Sequence, residues 1–203
     1  MLHYIANRFA SVICENSNLS SETKQSVYVY GFELLLSTIF SASSILIISA
    51  VLDKFLWGLV FLIIFVLFRM VCGGYHAKTY ARCYWSSMLT FLCVLVAAQY
   101  SHSRLSILLI CVFYSVVIFM WAPQINIKHP LSENAKKKNR KCAVLLVIFT
   151  NIWIGYMVSI NQISDFVCVV ATSIAAVAVL MIIAKKHERR KTHECLDSDC
   201  ESC

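Results

Sequence analysis

The sequence predicts an all-α, polytopic membrane protein with about six transmembrane helices and an N-terminal interfacial amphipathic helix. The first observation is composition: 59% of the residues are hydrophobic and 14% are charged, whereas an average soluble domain has about 25% charged residues. The second is a series of apolar runs, each close to the ~20 residues that a helix needs to cross a bilayer. The third is the clustering of lysine and arginine between these runs, which indicates contact with anionic lipids rather than with nucleic acid.

Residues 1–19 are predicted to form the amphipathic helix. Leu2, Ile5, Phe9 and Val12 recur at helical spacing, with polar residues between them, as in helices that lie in a membrane interface. The segment lacks the continuous apolar core and cleavage site of a signal peptide. Packing against the inner face of the protein itself is an equally good interpretation, and both placements can hold together.

The apolar runs predict a transmembrane domain over residues 20–184. Asp53 and Lys54 form a turn so short that the first two spans are predicted to be an antiparallel hairpin. A polar segment, 123–142, separates the fourth span from the fifth and holds both prolines and the run K-K-K-N-R-K. Asn151 is a polar residue inside the fifth predicted span, which makes this span the weakest of the six predictions. The predicted spans are 27–51, 55–71, 84–101, 105–122, 143–160 and 163–184.

The distribution of basic residues predicts that both termini lie in the cytoplasm. Residues 123–142 carry six lysines and arginines, residues 185–203 carry five, and residues 69–83 carry three. An even number of predicted spans separates these segments, so six spans place all of them on one side. Because basic loops stay inside, that side is the cytoplasm.

The ten cysteines do not indicate a secreted disulfide framework, because they are scattered and several lie within apolar runs. Residues 185–203 are predicted to be a basic, cysteine-bearing, solvated cytoplasmic tail. Cys195, Cys200 and Cys203 are thiols of the kind that binds zinc, but their spacing is not a standard zinc pattern. We therefore expect no metal and no cofactor.

Residues 69–83, R-M-V-C-G-G-Y-H-A-K-T-Y-A-R-C, combine the groups needed for cysteine catalysis. Cys83 is the candidate nucleophile, and His76 is the candidate base because imidazole accepts a proton near neutral pH. Gly73 and Gly74 allow a tight turn and a close approach of the backbone, whose N–H groups would face a developing oxyanion. The alternative is structural: a glycine helix cap followed by a solvated histidine and a small buried thiol.

The spacing of the pair restricts its geometry. Residues seven apart lie about 10 Å apart along a helix axis, whereas a Cys–His hydrogen bond needs about 3 Å. The chain must therefore fold back at the glycines, placing His76 over the first turn of the helix that carries Cys83. An unbroken helix would instead favour Cys72, four residues before His76, but two glycines disfavour that helix. Tyr75, Tyr80, Tyr84 and Trp85 are candidates for sheltering the site from water.

Two charges lie inside predicted spans, and further charges follow the fourth. Glu33 and Arg69 would both lie near the cytoplasmic face, where an ion pair between them would brace the site. Separate solvation of each, or a direct contact of Arg69 with substrate, are the alternatives. Lys136, Lys137 and Lys138 are predicted to contact anionic lipid or an acidic peptide substrate.

Arg69, the segment 73–77 (G-G-Y-H-A) and Cys83 resemble the signature of the accessory gene regulator protein B (AgrB) family. Its members are bacterial membrane cysteine endopeptidases that process quorum-sensing propeptides. The number of spans and the later W-A-P…H-P-L segment fit the same family, and the resemblance covers the span region but not the tail. It implies His76 and Cys83 as the catalytic pair, at the cytoplasmic face of a bacterial cell membrane.

The resemblance also implies a reaction and two partners. Cys83 would cleave an AgrD-like propeptide through an acyl-enzyme thioester, which the peptide then displaces to close a thiolactone or lactone ring. A homodimer is expected from the family, and small residues at 41–44 would permit close helix contact. The alternatives are a small peptide transporter or exporter and a non-catalytic membrane sensor or scaffold. No pair of interrupted spans in matching halves supports a transporter.

Overall fold

The computed structural model describes residues 38–72, 80–124 and 133–200. Side chains are described for residues 38–72, 83–124 and 134–186. Over these residues the chain is helical and contains no strand, which confirms the predicted all-α membrane class. The predicted amphipathic helix of residues 1–19 and the first part of the first span lie outside the described residues. The helices are α1 (Thr38–Val51), α2 (Phe55–Cys72), α3 (Tyr80–Tyr100), α4 (Arg104–Trp121), α5 (Glu133–Ser159) and α6 (Asp165–Cys200).

Five of these helices, α2 to α6, are long and apolar enough to cross a membrane. They match the second to sixth predicted spans. The described part of the first predicted span is α1, which is apolar but shorter than a full crossing. The apolar pattern therefore located each of the five long helices.

Two of the connecting turns close their preceding helices in the same way. Asp53 and Asn161 adopt positive φ values of 55° and 61°, a left-handed conformation that Asp and Asn tolerate better than most residues. The N–H of Lys54 then donates to the Ser49 carbonyl at 2.8 Å, and the N–H of Gln162 donates to the Met157 carbonyl at 3.0 Å. This is the hydrogen-bond pattern of the Schellman motif, which satisfies carbonyls left over at a helix end.

The fifth span begins earlier than the apolar pattern predicts. Helix α5 starts at Glu133 rather than near residue 143, so the run K-K-K-N-R-K belongs to the helix and not to a loop. The reason is that lysine, arginine and alanine favour helix, and no glycine or proline interrupts residues 131–154. Helix α6 likewise continues to Cys200, across the predicted boundary at residue 185 between span and tail.

The described residues belong to two compact units. The first contains residues 38–55 and 80–89, that is, α1 and the opening of α3. In this unit the rings of Phe40 and Tyr84 lie 5.4 Å apart, and Ile45 is buried. The second contains residues 56–72, 90–124 and 133–200.

The second unit is built around α6. Its spanning segment is 61% buried, whereas the spanning segments of the other long helices are 22–39% buried, so α6 is the central helix of this unit. Consecutive small and β-branched residues from Val167 to Ser173 are all buried there, and small residues allow neighbouring helices to approach closely. A second cluster joins α2 to α3, where the Phe61 ring lies 5.1 Å from Phe65 and 5.2 Å from Phe91.

A polar contact joins α4 to α5 within the apolar region. The hydroxyl of the fully buried Tyr114 donates to Asn151 Oδ1 at 2.6 Å, and Asn151 Nδ2 donates to Ser115 Oγ at 2.8 Å. Polar side chains in a membrane are stabilised by such interhelical hydrogen bonds. Asn151, the residue that weakened the prediction of the fifth span, therefore connects two helices.

Candidate functional site

Cys83 lies in the first turn of α3, as the fourth residue of the helix Tyr80–Tyr100, and is half-buried. The backbone N–H groups of a first helical turn have no partner within the helix. Together with the helix dipole, such N–H groups favour a negative charge at a helix N-terminus. His76, Gly73 and Gly74 lie outside the described residues, and their distances to the Cys83 sulfur remain a prediction.

The aromatic residues next to Cys83 face in different directions. The half-buried Tyr84 packs on Phe40 of α1, and the edge of its ring contacts Trp85 at a centroid distance of 5.7 Å. Trp85 itself is 68% exposed. Of the four aromatic residues predicted to shelter the site, Tyr84 is thus packed inward and Trp85 outward, while the side chains of Tyr75 and Tyr80 are outside the described part.

Arg69 lies in the last turn of α2, where a positive charge complements the helix dipole. Its guanidinium carbon lies 5.6 Å from the centre of the Phe65 ring, within the range of a cation–π interaction. Phe65 was not among the predicted site residues, although the i, i+4 spacing places the two side chains on one face. Glu33 lies outside the described residues, so its ion pair with Arg69 stays a prediction.

The end of α2 is held by a residue that the sequence analysis missed. Gln124 follows α4 at a distance of three residues, and its backbone N–H donates to the carbonyl of Cys72 at 2.9 Å. Its side-chain Nε2 donates to the carbonyl of Met181 in α6 at 2.7 Å. One turn further along α6, Lys185 Nζ lies 4.5 Å from the centre of the Trp121 ring. These contacts bring three helices together immediately before residues 73–83, the predicted catalytic stretch.

Cys72, the alternative thiol, is fully buried at this junction. Its sulfur is therefore not presented to a peptide on the surface, unlike that of the half-buried Cys83. The described cysteines, 72, 83, 93, 111, 142 and 168, form no disulfide with one another.

The basic run lies on two faces of α5. Lys137 and Lys138, with Asn134, Lys141 and Cys142, line an open groove of about 400 Å³. Their spacing of three, four, seven and eight residues places them on one side of the helix. Lys136 is seven residues before the buried Ala143 and therefore lies on a different side. The predicted set Lys136 to Lys138 is thus divided, and helical spacing would have selected Lys141 in place of Lys136.

A second cysteine–histidine cluster lies at the other end of α3. The Cys168 sulfur donates to the Ser101 carbonyl at 3.4 Å and lies 3.8 Å from His102 Nδ1. His102 Nε2 lies 3.7 Å from Asp165 Oδ1. Cys168 has no exposed surface, so the thiol is not accessible to a substrate. In the part of the chain that the structure describes, no group of three or more metal-ligand residues is arranged to hold an ion.

Comparison with known proteins confirms the family that the sequence resembles. The family model described as accessory gene regulator B (AgrB) matches residues 6–185. "Putative AgrB-like protein 2" of Clostridium perfringens (strain 13 / Type A) is 24% identical over 156 residues, which cover 73% of this chain and 72% of that protein. No solved structure matches the chain significantly. Because the family model spans most of the sequence, the chain belongs to the accessory gene regulator B family of membrane proteins, which act in quorum-sensing peptide processing.

Proposed function

We propose that this protein is a cysteine endopeptidase of the bacterial cell membrane that cleaves an AgrD-like quorum-sensing propeptide and promotes its cyclisation. The observation that carries the proposal is the half-buried Cys83 in the first turn of α3, seven residues after His76. A thiol at a helix N-terminus, with a histidine within reach along the chain, has the two features that activate a cysteine nucleophile.

In the first step, His76 takes the proton of the Cys83 thiol, and the thiolate attacks the carbonyl carbon of the scissile peptide bond. Backbone N–H groups near Gly73 and Gly74, or in the first turn of α3, stabilise the oxyanion. The C–N bond then breaks, and the imidazolium returns the proton to the leaving amine. The products are a thioester on Cys83 and the released C-terminal part of the propeptide.

In the second step, a thiol or hydroxyl of the bound peptide attacks the thioester carbonyl. His76 accepts the proton of that group and returns it to the departing Cys83 sulfur, which regenerates the enzyme. The product is a thiolactone if the attacking group is a thiol and a lactone if it is a hydroxyl. Water competes with this ring closure, so the thioester must be shielded. The packing of Tyr84 on Phe40, directly after Cys83, supports such shielding on one side.

The basic face of α5 is the proposed contact for negative charge. Lys137, Lys138 and Lys141 line one groove, where they attract either the acidic part of a propeptide or anionic lipid headgroups. Lys136 is on another side of α5 and is assigned to lipid contact. In the proposed topology, both termini, this face and the active site are on the cytoplasmic side.

The protein is also proposed to be a homodimer, as expected for the family. Small residues at positions 41–44 of α1 would allow two copies to approach closely. Cross-linking in native membranes, compared with a leucine substitution at Ser43, would test this assembly, since a bulky residue at the contact would reduce the cross-linked fraction.

The test of the proposed function is a single-turnover assay in membranes with a propeptide labelled on its N-terminal side. The wild type should form a labelled adduct that hydroxylamine releases, as expected of a thioester, while Cys83→Ala should form none. A transporter would move the peptide without an adduct, and a sensor or scaffold would do neither. Adduct formation that persists in Cys83→Ala would contradict the assignment of the nucleophile.

A further inference from the structure

We infer that Gln124 is a positioning residue for the catalytic stretch, because it fixes the end of α2 from which residues 73–83 depart. The inference rests on the proposed function of His76 and Cys83. It concerns a residue that the motif around Cys83 does not include, and that lies more than forty positions later in the chain.

The first contact is made by the backbone. The carbonyl of Cys72, the last residue of α2, accepts a hydrogen bond from the N–H of Gln124 at 2.9 Å. The last four carbonyls of a helix have no partner within the helix. Cys72 is 0% exposed, so water does not reach its carbonyl. An unsatisfied buried carbonyl would be costly, and the Gln124 N–H therefore selects one position for the helix end.

The second contact is made by the side chain. Gln124 Nε2 donates to the Met181 carbonyl at 2.7 Å, and Met181 is itself fully buried in α6. Since α6 is the central helix of its unit, the contact attaches Gln124 to a rigid element. The neighbouring contact of Lys185 with Trp121 joins the same two segments a second time. Gln124 thus fixes the position of the end of α2 relative to α6.

The consequence for catalysis follows from chain length. His76 is four residues after Cys72, so its Cα lies within about 14 Å of the Cys72 Cα even for a fully extended chain. A shift of the α2 end therefore moves the point at which the short segment that carries His76 begins. A misplacement of about 1 Å in a catalytic group can reduce the rate about a hundredfold.

The test uses a pair of matched variants. Gln124→Met removes the side-chain donor and keeps the size and the backbone N–H. Gln162→Met makes the same change at an exposed glutamine in the turn between α5 and α6. Both proteins are compared with the wild type in full-length form in membranes, at equal measured abundance.

Two readouts separate anchoring from catalysis. The first is amide hydrogen exchange in peptides that cover residues 69–79, which should become about three to tenfold faster in Gln124→Met alone, as expected for a lost hydrogen bond. The second is propeptide cleavage, in which kcat should fall about tenfold while KM stays within about twofold, because the geometry of the reacting groups changes and substrate binding does not.

The outcomes are distinct. If amide hydrogen exchange is unchanged in Gln124→Met, or changes equally in Gln162→Met, Gln124 does not fix the end of α2. Faster exchange with unchanged kcat would overturn its part in the reaction. A wild type that cleaves no cognate propeptide would refute the proposed function, while the exchange measurement would still decide the anchor. If Gln124→Met does not accumulate, Gln124→Asn, whose carboxamide is one methylene too short, should give an intermediate change in both readouts.

Discussion

A cysteine lies at each end of α3, and the two cysteines have different surroundings. At the start of the helix, Cys83 is half-buried in the first turn, at the positive end of the helix dipole. Beyond the other end, Cys168 is fully buried, and its thiol donates to the Ser101 carbonyl beside His102. In the Cys168 cluster a cysteine, a histidine and a carboxylate lie close together, but the thiol is not accessible, so proximity alone does not identify a nucleophile.

The sharpest test of this comparison is the removal of each thiol. Cys83→Ala should lower the rate of propeptide cleavage by at least about a thousandfold, because the nucleophile is lost. Cys168→Ala should keep the rate within about threefold of the wild type, and Cys72→Ala should retain substantial activity. Cleavage is measured in membranes at equal protein abundance. Loss of cleavage in Cys168→Ala or Cys72→Ala, with full activity in Cys83→Ala, would reverse the comparison.

Substitution of His76 should reduce cleavage far more than substitution of His102, in parallel with Cys83 and Cys168. His76→Ala should reduce cleavage by about a hundredfold or more, because general-base catalysis contributes about that factor. His102→Ala should have little effect, since His102 contacts a buried thiol and Asp165 rather than the proposed site. The pH dependence of cleavage provides the control: it should keep its form in His102→Ala. A strong effect of His102→Ala on kcat would show that the second cluster takes part in the reaction.

Access can be measured without any substrate. In variants that keep one cysteine each, Cys83 should react with a small maleimide at least about ten times faster than Cys168, because only an accessible thiolate is alkylated. Unfolding in detergent should remove the difference, which serves as the control. Equal rates in the folded protein would mean that the cluster around Cys168 opens readily.

The smallest effect concerns stability. Cys168→Ala should lower the free energy of unfolding by about 1 kcal/mol, because it removes a hydrogen bond and leaves a small cavity in a packed region. Cys83→Ala should lower it by less, since Cys83 is only half-buried. Thermal unfolding in one detergent, with both variants scanned at the same rate, checks the order. A larger loss for Cys83→Ala would assign that thiol a structural role.

The sequence was sufficient for features that depend on local pattern. Apolar runs located α2, α3, α4 and α6, because a bilayer requires continuous hydrophobic helices. The start of α5 was predicted ten residues late, since hydropathy marks the apolar part of a helix and not the helix itself. Helix propensity over the run K-K-K-N-R-K contained the missing information.

Features that depend on distant residues could not be predicted. Gln124 donates hydrogen bonds to the end of α2 and to Met181 within α6, both remote from it in sequence, and neither its neighbours nor its spacing indicates those partners. The same holds for Tyr114 with Asn151 and for His102 with Cys168. The local motif predicts Cys83 and His76 as site residues, but it does not indicate which distant residues hold the motif in place.

The early start of α5 has a mechanical consequence. A helix of 27 residues is about 40 Å long, whereas the hydrocarbon core of a bilayer is about 30 Å thick. The helix is therefore about 10 Å longer than the hydrocarbon core is thick, and its lysine-bearing turns supply the excess length. Because these turns are helical, both the height and the direction of their charges are fixed. One residue inserted between Lys141 and Leu145 would raise that charge by about 1.5 Å and rotate it by about 100° around the axis. In a loop, the same insertion would change neither by a defined amount.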